Sequence, residues 1–115
     1  MKKLFYLFYI FINLNLFSQD KLFVVEKGSI EYDKFLSMLM PEAAFVELNT
    51  NISDLKIESN TKGIIKELPN PFSKNRIFAI YSEKQKFQIS KKGFKEVKIL
   101  IPKLYPSQKI SFLIK

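Results

Sequence analysis

Six lysines crowd one stretch of the sequence: Lys84, Lys86, Lys91, Lys92, Lys95 and Lys98 fall within 15 residues. Ammonium groups at that density can meet phosphate or sulfate polymers, or acidic lipid headgroups. These six form a candidate anion-binding face. The rival reading is a solvated sheet surface, because Lys on exposed strand positions discourages edge-to-edge aggregation. Nucleic acid is not the expected partner. The chain has 18 Lys and one Arg, and base reading and bidentate phosphate recognition both favour Arg.

Other chemistry is sparse. The chain has no His and no Cys. It therefore lacks the commonest general base and metal ligand, and it has no thiolate nucleophile or disulfide. Three Asp and eight Glu form no recognisable catalytic motif. Ser29 to Lys34 and Ser82 to Lys84 combine Ser with Lys, but not at a catalytic spacing. Three scattered Gly cannot build a phosphate loop. Asn49, Asn51 and Asp54 are the nearest candidate oxygens for Ca²⁺, and they read as turn formers instead. The expectation is a binding module with no catalytic residue, no cofactor and no metal.

The amino terminus reads MKKLFYLFYIFINLNLFSQDK. Lys2 and Lys3 precede a 14-residue run, Leu4 to Phe17, interrupted only by Asn13 and Asn15; Ser18, Gln19 and Asp20 then turn polar. This is the layout of a secretory signal peptide, and it resembles Gram-negative bacterial signals. A spanning helix needs about 20 apolar residues. Residues 1–18 are thus expected to be a signal peptide cleaved before Gln19. Residues 19–115 are expected to form one exported domain, periplasmic or at the cell surface. The alternative is an uncleaved inner-membrane anchor. The cleaved chain carries 17 − 11 = +6, since Lys2 and Lys3 are lost.

The elements that position these residues read as mostly strands. Lys21 to Glu26 is apolar and β-branched, with Gly28 as its stop. Tyr32, Phe35, Leu36 and Leu39 recur at helical spacing, so one short helix is expected at about residues 30–40, with Ser29 as cap and Pro41 as stop. Met38-Leu39-Met40 reads as core filler more than as a partner patch. Short strands follow at Ala44 to Leu48, Leu55 to Glu58, Gly63 to Leu68, Arg76 to Tyr81 and Phe87 to Ser90. Asn60-Thr61-Lys62-Gly63 reads as a hairpin turn between two of them. Val97, Ile99 and Ile101 alternate with other residues, as do Ile110, Phe112 and Ile114, giving two closing strands. Phe94 is out of phase with Val97, which marks a bulge. The fold expected is mainly β: a small antiparallel β-sandwich with one short amino-terminal helix.

The carboxy-terminal part, residues 43–115, resembles the small exported β-sandwich modules of the PEGA and carboxypeptidase-regulatory-like groups. The matching residues are Phe87 to Ser90, Lys92-Gly93-Phe94, Val97 to Pro102 and Gln108 to Ile114. The Pro-Glu-Gly-Ala core of PEGA modules is absent from the chain. The resemblance implies a non-enzymatic part of a cell-envelope protein, and for a chain of one domain's length it implies a protein partner in trans. Pro69-Asn70-Pro71-Phe72 resembles the opening of type IX sorting domains, but the Gly-x-Tyr strand that follows there is missing, and the stretch reads as a rigid loop. Two function classes result. One is an envelope interaction module that docks a protein partner by a sheet edge or the helix face. The other is a binder of anionic glycan or lipid surfaces through the lysine cluster.

Overall fold

The computed structural model describes residues 21–70 and 73–115. The expected signal peptide, residues 1–18, and Pro71-Phe72 of the proline loop lie outside the described residues. In chain order the elements are β1 (Val25–Tyr32), α1 (Lys34–Leu39), β2 (Ala44–Thr50), β3 (Lys56–Ser59), β4 (Ile64–Leu68), β5 (Arg76–Ile80), β6 (Gln85–Ser90), β7 (Val97–Ile101) and β8 (Gln108–Ile114). The chain is mainly β, as its alternating runs predict. A large sheet has the order β1-β8-β2-β5-β4, and a small sheet has the order β3-β6-β7.

Alternation decides what each sheet buries. Gln85, Phe87 and Ile89 of β6 are buried, as are Ile110, Phe112 and Ile114 of β8, because successive strand side chains point to opposite faces. One buried cluster draws on both sheets, with Val46, Phe78 and Ile110 from the large one and Phe87, Ile89 and Ile101 from the small one. Phe78 of the large sheet and Phe87 of the small sheet meet edge to face, with ring centroids 5.8 Å apart. A second, smaller cluster lies on the other side of the large sheet, where Leu36 of α1 covers Phe45, Ala79 and Leu68.

Several local expectations are corrected. β8 lies between β1, which it pairs antiparallel, and β2, which it pairs parallel from Phe45↔Lys109 to Thr50↔Ile114. The pairing is therefore not wholly antiparallel. A parallel neighbour requires a long crossover, and here most of the domain intervenes between β2 and β8. Asn60 to Gly63 is not a hairpin, because β3 and β4 belong to different sheets. Asn60 stays with the small sheet: its N–H donates to the Lys86 carbonyl at 3.0 Å, and its Oδ1 accepts from the Lys86 N–H at 2.8 Å. The Gly63 carbonyl already accepts from the Tyr81 N–H at 2.9 Å beside the large sheet.

Gly28 does not end a strand either. β1 begins at Val25 and runs through Gly28, with a register shift between Lys27 and Ile30. A Cβ at Gly28 would stand 2.9 Å from the Ser111 carbonyl oxygen, so glycine permits this close approach at the bulge. Phe94 precedes β7 rather than bulging from it. Its ring stacks on Phe23 at 4.7 Å, and Lys21 forms an isolated bridge beside it. Residues 21 to 32 thus strap the two sheets, touching the β6–β7 connection first and β8 next.

The helix is shorter than its apolar spacing predicts. It spans six residues, Lys34–Leu39, while Ile30 to Tyr32 lie in β1. Asp33, not Ser29, is its cap: Asp33 Oδ1 accepts from the Leu36 N–H at 2.9 Å.

Candidate functional site

The six lysines do not converge on one point. Lys86 of β6 and Lys98 of β7 share the outer face of the small sheet with Lys56 of β3, since Lys86 pairs with Leu100, Gln88 with Lys98 and Lys56 with Ser90. Lys91, Lys92 and Lys95 lie in the β6–β7 connection. Lys91 is committed to structure there, because its Nζ donates to the Ser53 carbonyl at 2.6 Å. Lys84 stands at the opposite end of β6, roughly 24 Å from Lys91 at about 3.4 Å per strand residue. Carboxylates interrupt the face: Glu58 pairs with Lys56 at 3.0 Å, and Glu96 accepts from the Gln88 side-chain amide. The result is a broad, mixed surface with a positive excess.

The more site-like geometry lies on the other side of the molecule, at α1. Two turns of helix give one residue, Leu36, to the small cluster. Phe35, Met38 and Leu39 are left 69%, 76% and 56% exposed, and Tyr32 is exposed beside them. This corrects the reading of Met38 and Leu39 as core filler; Met40 alone of that trio packs against buried residues. The physical reason is length. A six-residue helix presents too few residues to bury a whole apolar face against one sheet.

Between α1 and the large sheet opens a cleft of about 420 Å³. Its walls are Phe35, Leu36 and Leu39 from the helix, with Leu68 of β4 and Ile77 of β5. Its charged groups are Asp33, Glu47 and Lys109. Lys109 Nζ lies 3.1 Å from Asp33 Oδ2 and 3.9 Å from Glu47 Oε1. Ser111 Oγ donates to Glu47 Oε1 at 3.3 Å. Burial pushes the Asp33 carboxyl upward, but the Leu36 N–H and the Lys109 ammonium outweigh it and hold it below its ordinary value. Asp33 thus caps the helix and pins it to β8 through one carboxylate.

No three side chains among His, Cys, Asp and Glu gather into a metal-holding group among the described residues. Nor is any described helix long and apolar enough to cross a membrane. Comparison with known proteins finds no matching family model, no matching curated protein and no matching solved structure. The cleft had little signal in the sequence, since β8 brings Lys109 to Glu47 by its pairing with β2 and to Asp33 by its pairing with β1. The one local cue was an acidic residue three positions before Leu36, which is cap spacing.

Proposed function

We propose that the chain is an exported, non-catalytic interaction module of the bacterial cell envelope that docks a protein partner through the outward face of α1. The observation that carries this reading is the exposure of Phe35, Met38 and Leu39 on one six-residue helix. Contiguous apolar surface that a chain does not bury itself marks an interaction site. In this reading the two sheets are the layers of a β-sandwich. The resemblance of residues 43–115 to PEGA and carboxypeptidase-regulatory-like modules supports that architecture and a role without catalysis.

The helix is favoured over a sheet edge as the docking element. The outer strands of the two sheets are guarded in ways that discourage strand addition. β1 carries Glu26, Lys27 and Glu31 with a bulge, and β4 carries Lys66 and Glu67 with a register shift. β3 is four residues long and bears Lys56 and Glu58, and β7 bears Lys98.

The alternative is a binder of anionic glycan or lipid surfaces through the lysine-rich face, favoured by Lys56, Lys86 and Lys98 sharing one sheet surface. Two variants separate the readings. Phe35→Ser with Met38→Ser changes exposed residues only, so stability stays within about 0.5 kcal/mol of the parent. Docking through α1 predicts that this variant loses its envelope association, and that the parent keeps it in roughly 1 M salt, where charge attraction is screened beyond about 3 Å. Association that survives the double serine variant but disappears in Lys91→Glu/Lys92→Glu/Lys95→Glu means the anionic surface is the ligand.

A further inference from the structure

The cleft beside α1 has a chemical bias that the exposed helix face alone does not reveal. The chain as a whole carries +8. The cleft reverses that sign, because Asp33 and Glu47 face a single ammonium, Lys109. Glu31 sits directly opposite Lys109 in the β1–β8 register and adds a further carboxylate at the margin.

The two cleft carboxylates are not equally engaged. Asp33 is committed through both oxygens, Oδ1 to the Leu36 N–H at 2.9 Å and Oδ2 to Lys109 at 3.1 Å. Glu47 is partly buried, with its side chain 17% exposed. Among the described residues it receives only the 3.3 Å bond from Ser111 and the distant Lys109 at 3.9 Å. An ionised carboxylate offers about four acceptor positions. Glu47 is thus a largely shielded carboxylate with acceptor positions still open to solvent, lining an apolar cleft where a charge-assisted hydrogen bond is stronger than in open water.

We propose that this cleft binds a segment of a partner protein that presents a Lys or Arg next to a large apolar side chain. The cation reaches Glu47, and the apolar neighbour lies between Phe35 and Leu39 on one side and Leu68 and Ile77 on the other. The proposal rests on docking through α1 and adds the chemistry of the docked segment. An uncharged apolar segment would leave Glu47 unsatisfied after water is excluded, which disfavours it. An acidic segment would meet a site of its own sign.

A random peptide library displayed on phage, panned against the full processed protein, tests this directly. Enriched peptides are expected to place Lys or Arg within two positions of Leu, Ile, Met or Phe. Their affinity is expected to fall about tenfold with Glu47→Gln, the scale of one charge-assisted hydrogen bond. Replacing the peptide's cation by norleucine should cost a similar factor, and the two changes together little more than either alone. The thermal midpoint of Glu47→Gln, read alongside, separates lost binding from lost folding. Winners that lack a cation, or that are indifferent to Glu47→Gln, overturn the proposal, as does a library that yields none. If those winners are still lost in Phe35→Ser/Met38→Ser, docking through α1 stands and only the cationic segment is wrong. If that variant binds them unchanged, docking through α1 falls as well.

Discussion

Arg76 is the chain's one arginine, and each of its three guanidinium nitrogens donates a hydrogen bond. Nε and Nη2 donate to the two oxygens of Glu67 at 2.9 and 2.7 Å, Nη1 donates to the Leu55 carbonyl at 2.6 Å, and the group lies over the Phe78 ring at 5.3 Å. The Glu67 hydrogen bonds raise its pKa against the opposing effect of burial. A lysine cannot reproduce that planar fork, so Arg76→Lys is expected to lower unfolding stability by about 1–2 kcal/mol in urea titrations. Asp33 supplies a pH signature. Its folded pKa lies below the ordinary 3.8, so the stability it contributes is fully present above that value and is lost as pH falls through the folded pKa. Asp33→Asn keeps a capping side chain but removes this titration. The variant's urea midpoint should therefore depend less on pH below about 4 than the parent's. The Arg76 contacts and the Asp33–Lys109 pair were not legible in the sequence, because their partners are set by sheet register; only the spacing of Asp33 before Leu36 was a local cue.

At the scale of elements, strand existence was legible and strand partnership was not. Alternation marks Ile110, Phe112 and Ile114 as one face whatever lies beside them. That β8 sits inside the large sheet, between β1 and β2, follows from long-range pairing that no local pattern encodes. Removing residues 110–115 is accordingly expected to abolish cooperative unfolding, whereas removing Lys115 alone should leave it intact; circular dichroism on heating distinguishes the two. The link from β3 to β4 tells the same story. Gly63 resembled a hairpin residue, but it matters because Gln85 packs against it. A Cβ there would lie 2.5 Å from Gln85 Oε1, and Gln85 is held by Ser59 Oγ at 2.7 Å and the Tyr81 carbonyl at 3.3 Å. Gly63→Ala is expected to cost about 1–3 kcal/mol by overpacking. In the background of Gln85→Ala the same change should cost much less, and a double-mutant cycle measures the difference. The helix was legible as periodicity, but its apolar face was read as core because spacing alone does not say how much of a short helix a sheet can cover.

At the scale of the whole molecule, the two sheets share one core and turn unlike outer surfaces to solvent. The small sheet presents Lys56, Lys86 and Lys98, tempered by Glu58. The large sheet presents α1, its exposed Phe35, Met38 and Leu39, and the carboxylate-lined cleft. The lysine cluster was conspicuous in the sequence because it is local; the cleft was hidden because it is assembled. The most direct measurement is photo-crosslinking in living cells, with a photoreactive residue placed at Met38 in one variant and at Lys98 in another. Docking through α1 predicts a discrete protein adduct from position 38 and none of comparable yield from position 98. Adducts only from position 98, or lipid and glycan adducts with no protein partner at position 38, would contradict it.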